Sequence, residues 1–199
     1  MTRTKWFWFC FALILLCALF LVKSIRSVPM TYPPNIPGDW KPHQGGIGIF
    51  QVWLPGEWKD VEKGRTGSFL RAVRSGEEYG MITVWNDDSI FEINAPLVGK
   101  ELARQCSSHY PVSLTLDFEG SIPVDVANVI MIEREDDGIY IAYQSAVLVR
   151  EADRNLVRTV AFAVSAEHVF MIHLDTTEGI NENGSTMHEK ILRAFYVTE

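Results

Sequence analysis

The longest apolar run in the chain, WFWFCFALILLCALFLV from Trp6 to Val22, contains no charged residue, Pro or Gly. At about 1.5 Å of rise per helical residue it covers roughly 25 Å, close to the ~30 Å hydrocarbon core of a bilayer. Basic side chains that can reach the headgroups flank the run on both sides: Arg3, Lys5, Lys23 and Arg26. The run therefore predicts an N-terminal transmembrane helix, and we interpret residues 1–26 as a membrane anchor.

A cleaved signal peptide is the alternative interpretation of these residues, since it also has a basic start followed by an apolar stretch. No small-x-small cleavage site closes the run, because Leu21 and Val22 lead directly into Lys23. Basic residues are equally numerous at the two ends, so the free amino terminus tips the orientation towards an N-terminus inside the cell. We expect a single-pass anchor that holds the rest of the chain outside the cytoplasm, in the periplasm if the organism is bacterial.

The charge of the remaining chain is strongly acidic. Removing the four basic residues of the anchor region from the 18 in the chain leaves 14 against 25 acidic residues, a net charge of −11. Phosphate binding needs a basic surface, so nucleic acid is excluded as the default partner. Cys106 is the one cysteine beyond the apolar run, which rules out a disulfide within the domain.

Residues 27–46 are rich in Pro and Gly, and this composition favours an extended, semi-rigid spacer. Such a spacer would hold a single domain, residues 47–199, away from the bilayer. The alternative is that Tyr32, Ile36 and Trp40 lie along the domain as an extended arm. Both interpretations place the folded domain after the anchor.

The first part of the domain is predicted to contain three strands and a helix. Residues 47–54 form an apolar cluster that ends at a Pro-Gly turn, and residues 68–74 and 79–85 read as a hairpin around the turn SGEE. A row at every fourth position then predicts one helix face: Val98, Leu102, Cys106 and Tyr110. Asn94 is its expected cap, while Ser89 with Glu92 offers a competing capping box.

The second part of the domain alternates in polarity almost to its end. Five strands are predicted, over residues 112–116, 126–134, 139–150, 156–164 and 169–175. The last four are joined by short polar connections, which permit antiparallel neighbours only, so they form a four-stranded meander. A final helix is expected at the capping box of Thr186 and Glu189, with one side lined by Met187, Ile191, Leu192 and Phe195. The predicted class is α+β: an antiparallel sheet with two packing helices.

This order of elements resembles the PsbP-like fold family, which includes the DcrB-type lipoproteins. The similar residues are FQVWLPGEW from Phe50 to Trp58, the meander, and HEKILRAF from His188 to Phe195, so the resemblance covers residues 47–197. The resemblance implies a non-enzymatic binding, assembly or chaperone module, and it transfers no catalytic residue. The long apolar start departs from the lipidated cysteine of the lipoproteins. The rival NTF2-like cone places its helices before its sheet, unlike this chain.

Catalytic chemistry has one weak candidate. His173 and Asp175 lie two residues apart on a predicted strand, so both point to one face, as an acid–base dyad requires. No nucleophile accompanies the pair in a motif, so an exposed polar strand face is the favoured explanation. Cys106 and His109 could be helix neighbours, but Cys106 belongs to the apolar row and is expected to be buried and inert. The histidines show no metal-binding spacing, and no cofactor is expected.

The surface offers candidates for a protein partner. The tryptophans of the domain are expected mainly in the core, and Trp58 is the best candidate for exposure among them because it follows a Pro-Gly turn. Acidic residues cluster in predicted turns at Asp87 and Asp88 and at Asp136 and Asp137. Solvated turns account for most of them, and electrostatic complementarity favours a basic partner.

Three functions follow from these observations. The first is a membrane-anchored, non-enzymatic domain that binds a protein outside the cytoplasm, as an accessory of an envelope or secretion complex. The second is an immunity protein that blocks a secreted effector at the membrane. The third is an envelope hydrolase that uses His173 and Asp175.

Overall fold

The structure, a computed structural model, describes residues 36–45, 48–63, 69–74, 79–94, 97–110, 122–126, 128–134, 137–149, 155–177 and 187–198. Several predicted features lie outside these residues: the membrane anchor over 1–26, the start of the spacer, the hairpin turn over 75–78, the strand over 112–116, Asp136 and Thr186. In the ranges described, no helix has both the length and the apolar character needed to cross a bilayer.

The described residues form an α+β domain, as predicted. Its elements in chain order are β1 Lys41–Gln44, β2 Phe50–Leu54, β3 Lys59–Lys63, β4 Phe69–Arg74, β5 Gly80–Asn86, α1 Ser89–Ile93, α2 Gly99–His109, β6 Ile122–Val126, β7 Ile130–Arg134, β8 Ile139–Val149, β9 Asn155–Val164, β10 Val169–Thr176, α3 Met187–Arg193 and β11 Phe195–Val197. Within the described ranges these strands make an eight-stranded and a three-stranded sheet, and every strand pair is antiparallel.

The large sheet is built from two consecutive strand series. Strands β7, β8, β9 and β10 follow one another as the predicted meander, because their short connections return each strand beside the one before it. The strand predicted over residues 126–134 is divided, since Val126 ends β6 and β7 begins at Ile130. The predicted hairpin of β4 and β5 is present, and β3 precedes it at the sheet edge. Strand β10 pairs with β5, with Ile172 opposite Val84, and so joins the two series into one sheet.

One face of the large sheet, here called the helix face, is covered by α1 and α2. Leu102, Ala103 and Cys106 of α2 are buried in a cluster that includes Ala142 of β8 and Phe162 of β9. Within the described residues there is a third helix in addition to the two expected, because the region of the competing capping box forms the short α1. Asn94 ends α1 and does not cap α2, which follows Val98. Helix α3 ends at Arg193, so Phe195 lies in β11 and not on the helix as expected.

The predicted row of helix residues is only partly buried. Val98 and Tyr110 are 70% and 53% exposed at the two ends of α2, whereas Leu102 and Cys106 are buried. Val98 also precedes the helix, which begins at Gly99. Residues four apart advance about 40° around a helix axis, so a row of four turns away from a flat sheet at its ends.

The other face of the large sheet is covered by α3 and by the small sheet of β1, β2 and β11. Three rings form the centre of this layer: Phe50 of β2, Phe170 of β10 and Phe195 of β11, with centroids 5.2 to 5.6 Å apart. Offset and edge-to-face ring pairs of this kind stabilise a core beyond the area they bury.

The end of the expected spacer is part of this domain. Lys41–Gln44 forms β1, which pairs with β2, and Trp40 is buried against the same core. The segment is extended, as its Pro content predicts, but it belongs to a sheet, in line with the alternative of an arm along the domain. Lys41 and Pro42 suit it to a sheet edge, where a proline costs no ladder hydrogen bond.

Candidate functional site

The candidate dyad residues do lie on one face of β10, the face that the helices cover. His173 lies opposite Val160 of β9, and Asp175 lies opposite Arg158. The Asp175 carboxylate accepts two hydrogen bonds from Arg158, from Nε at 2.8 Å and from Nη2 at 2.7 Å, and both side chains are buried. The partner that the structure gives to Asp175 is therefore a guanidinium.

The His173 imidazole packs against an aromatic ring. Its edge meets the Trp85 indole of β5, with centroids 4.8 Å apart and planes at 80°. Burial, and then the nearby Arg158 guanidinium, lower the pKa of His173 from 6.5 to about 4, against an opposing effect of Asp175. The ring is therefore neutral at neutral pH, and the charges of the neighbouring Arg158 and Asp175 are paired with each other.

Cys106 and His109 have separate environments. Cys106 is buried under α2, and burial raises the pKa of its thiol to about 11, so the reactive thiolate is suppressed. His109 is exposed and its Nδ1 lies 3.0 Å from the amide nitrogen of Gln105. Over the described part of the chain, no group of three or more His, Cys, Asp or Glu residues is arranged to hold a metal ion.

Trp58 is buried, and its expected exposure was wrong. It is 4% exposed and lies on the side of the large sheet that faces the small sheet. A Cβ atom at Gly80 would come within 2.5 Å of Trp58 Cζ2, so the indole occupies the space that a glycine leaves open. The space for the indole is left by Gly80, which lies far from Trp58 in the sequence, so the local turn pattern gave no sign of it.

The acidic turn residues Asp87 and Asp88 accept hydrogen bonds from groups in and beside their own turn. Asp88 Oδ1 accepts hydrogen bonds from the Val169 amide at 3.1 Å and from Asn86 Nδ2 at 2.7 Å, and Oδ2 lies 3.1 Å from His168 Nδ1. Asp87 is exposed and accepts a hydrogen bond from Ser89 Oγ at 2.5 Å. These contacts connect the start of α1 to the turn between β9 and β10.

Asp137 holds an arginine that bridges the two sheets. Its carboxylate binds Arg134 of β7, whose Nη1 donates to the carbonyl oxygens of Arg193, at 3.0 Å, and Phe195. The same guanidinium lies 4.2 Å from the centroid of the Tyr196 ring. Asp137 therefore contributes to the attachment of β11.

No protein-family model matches the sequence, and no curated protein matches it. The solution structure of the cyanobacterial PsbP protein CyanoP from Synechocystis is similar with a TM-score of 0.51 at 9% identity, covering 85% of this chain and 98% of that one. This chain has a PsbP-like fold.

A crystal structure from Bacteroides thetaiotaomicron is also similar, with a TM-score of 0.47 at 12% identity. The match covers 81% of this chain and 49% of the other, so this chain spans about half the length of that protein. At such identities the PsbP-like similarity describes the fold and assigns no functional residue.

Sequence reasoning missed the polar groups that the PsbP-like fold buries. Arg158 was counted only as part of an apolar strand, and its partner Asp175 was considered only with His173. A charged residue in the middle of an otherwise apolar strand was the available signal, because such a residue needs a partner on the next strand. His43 was treated as part of the spacer, although it binds the Asp60 carboxylate through Nδ1 and connects β1 with β3.

Proposed function

We propose that this chain is a membrane-anchored, non-enzymatic domain that binds a protein partner outside the cytoplasm, as an accessory of an envelope or secretion complex. The apolar run over residues 6–22 and the net charge of −11 in the rest of the chain support this proposal. The PsbP-like resemblance points to a binding or assembly module as well.

The observation that carries the non-enzymatic part is the hydrogen bonding of Asp175. In a His–Asp dyad the carboxylate directs one oxygen at the imidazole and accepts a hydrogen bond from its N–H. Both oxygens of Asp175 bind Arg158 in a buried, two-point ion pair. This arrangement is typical of a structural pair, and His173 is held by Trp85 instead.

The most suitable binding surface lies where β5 meets α1 and β9 meets β10. Asp87 and Glu167 are exposed there, and Asp88 lies between them through its contacts with His168 and Val169. We call these three acidic residues the acidic corner. It suits a basic protein surface, because rim charges of opposite sign favour encounter and register.

Strand addition is a less suitable way of binding for this domain. Edge strand β3 has a bulge between Asp60 and Glu62, and edge strand β6 has Pro123 beside an irregular register. Bulges and prolines at sheet edges oppose pairing with another chain. We therefore expect recognition by side chains.

The anchor is tested on the full-length chain in its own membrane. Alkaline carbonate should leave the protein in the membrane pellet, and protease added outside the membrane should cleave residues 36–198 but not the amino terminus. Mass spectrometry that finds a mature chain beginning after residue 26 would contradict the anchor.

The partner is tested by cross-linking in intact membranes followed by purification in detergent. The wild-type chain should capture one basic protein in a defined ratio, and the double variant D87K/E167K should lose it. The charge reversal E101K on the exposed side of α2 is the matched control and should retain it. A hydrolytic activity that H173A abolishes without changing the unfolding midpoint would support the enzyme instead.

A further inference from the structure

The side chain of His188 connects α3 to two strands of the large sheet. Its Nδ1 lies 2.6 Å from Thr159 Oγ1 on β9, and its Nε2 lies 2.8 Å from Thr176 Oγ1 on β10. The residue is 1% exposed. Thr159 Oγ1 is also 2.6 Å from Ser145 Oγ, so the hydrogen-bonded chain extends to β8.

The partners of this imidazole are uncharged hydroxyl groups. A neutral ring has one N–H and one lone pair, so one threonine accepts a hydrogen bond and the other donates one. A second proton would remove the acceptor and place a cation in a buried site among hydroxyls. Burying a charge without an opposite charge is costly, so the folded domain disfavours protonation of His188.

The surroundings of His188 offer little compensation. Helix α3 itself carries Glu189, Lys190 and Arg193, and the described ionisable groups beside α3 and β11 are Tyr143, Tyr196, Arg134 and Asp137. Glu189 accepts a hydrogen bond from Arg193 Nε at 2.9 Å. Arg158 and Asp175 lie on the opposite face of the sheet, and Glu178 and Glu182 lie outside the described residues. Burial is the cause that lowers the pKa of His188 from 6.5 to about 3.

We propose that residues 187–198, here called the C-terminal segment, form an acid-sensitive attachment that detaches from both sheets when His188 takes up a proton. Strand β11 pairs with β2 through Phe195–Val197, and Arg134 binds two carbonyl groups of the segment. Detachment would uncover the apolar layer around Phe50 and Phe170.

The size of the effect follows from proton linkage. Between pH 6.5 and about 3 the detached segment binds a proton at His188 and the attached segment does not, so acid favours detachment. The opening equilibrium constant should then rise about tenfold for each unit of pH lost. Going from pH 7.5 to pH 5.0 should raise it about 30-fold, since the effect begins near 6.5.

The test is hydrogen exchange on the full-length chain in detergent micelles at pH 7.5 and 5.0, corrected for intrinsic exchange rates. Protection of the C-terminal segment should fall about 30-fold at pH 5.0, and protection of residues 160–164 in β9 should fall less. H188Q can donate and accept hydrogen bonds but cannot titrate, so its segment should show no such fall. H109Q removes an exposed histidine and should behave like the wild type.

Two results would overturn the proposal. One is an equal loss of protection in the C-terminal segment and in β9, which indicates global unfolding. The other is the same loss in H188Q as in the wild type. If H188Q does not fold, hydrogen exchange of the wild type is measured at half-unit steps of pH instead. A release of the segment with uptake of about one proton supports the proposal, and no uptake overturns it.

Discussion

The two faces of the large sheet are buried by different means. The face under the small sheet is packed with large rings and aliphatic side chains, among them Phe50, Phe170 and Phe195. The face under α1 and α2 is also apolar beneath α2, at Ala142 and Phe162, but further along β9 and β10 it buries the charged Arg158 and Asp175.

The polar groups on the two faces are also satisfied differently. On the helix face Arg158 and Asp175 satisfy each other as a buried ion pair. On the face under the small sheet, His188 is satisfied by threonine hydroxyls and stays neutral. The comparison predicts that F170A and G80A, on the face under the small sheet, act through volume and that D175N, on the face under α1 and α2, acts through charge.

The largest effect is expected for F170A, which empties the centre of the ring cluster. Removing a buried phenylalanine costs its transfer free energy and leaves a cavity, so the free energy of unfolding should fall by about 4 kcal/mol. Urea titration of the variant measures this loss. M171A is the control, because Met171 is the next residue in the chain and is half-buried on the helix face. Its free energy of unfolding should fall less. A loss at F170A no greater than at M171A would contradict the difference between the faces.

D175N should be the next most damaging substitution. It keeps the shape of the side chain but leaves the buried Arg158 cation without an opposite charge, and the free energy of unfolding should fall by about 3 kcal/mol. The double variant R158M/D175L replaces both charges with apolar groups and should recover most of the loss. A double variant as unstable as D175N would show that the helix face does not act through charge.

G80A tests the packing of Trp58 on the face under the small sheet. The added Cβ would lie 2.5 Å from Trp58 Cζ2, so the indole must move, and we expect a loss of about 2 kcal/mol. G38A has no atom within 4 Å of its new Cβ and should match the wild type in the same titration. If G80A is as stable as G38A, the indole does not rely on this glycine.

The smallest effect is expected at an exposed ion pair. Lys100 of α2 binds Glu133 of β7, and their side chains are 49% and 47% exposed. Solvent screens such a pair, so E133Q should leave the unfolding midpoint unchanged, although Glu133 raises the pKa of Lys100. A clear drop in the midpoint would mean that this exposed ion pair stabilises the domain despite screening by solvent.

Local patterns predicted the elements with a regular period. Alternation in β8, β9 and β10 and the short turns between them gave the antiparallel meander, and the row from Leu102 to Cys106 gave the buried side of α2. The charged strand β3 and the Pro-containing β1 were missed, because neither has a continuous apolar face. The candidate site was predicted only as far as the shared face of His173 and Asp175.

The sequence alone determined the α+β class, the order of the meander, the acidic charge and the apolar run at the start, since each depends on neighbouring residues or on composition. Only the tertiary structure decided that Asp175 binds Arg158, that Trp58 is buried over Gly80 and that His188 lies between two threonines. The physical reason is that strand register brings together residues far apart in the chain. A local pattern specifies the face on which a side chain lies, and the neighbouring strand specifies its partner.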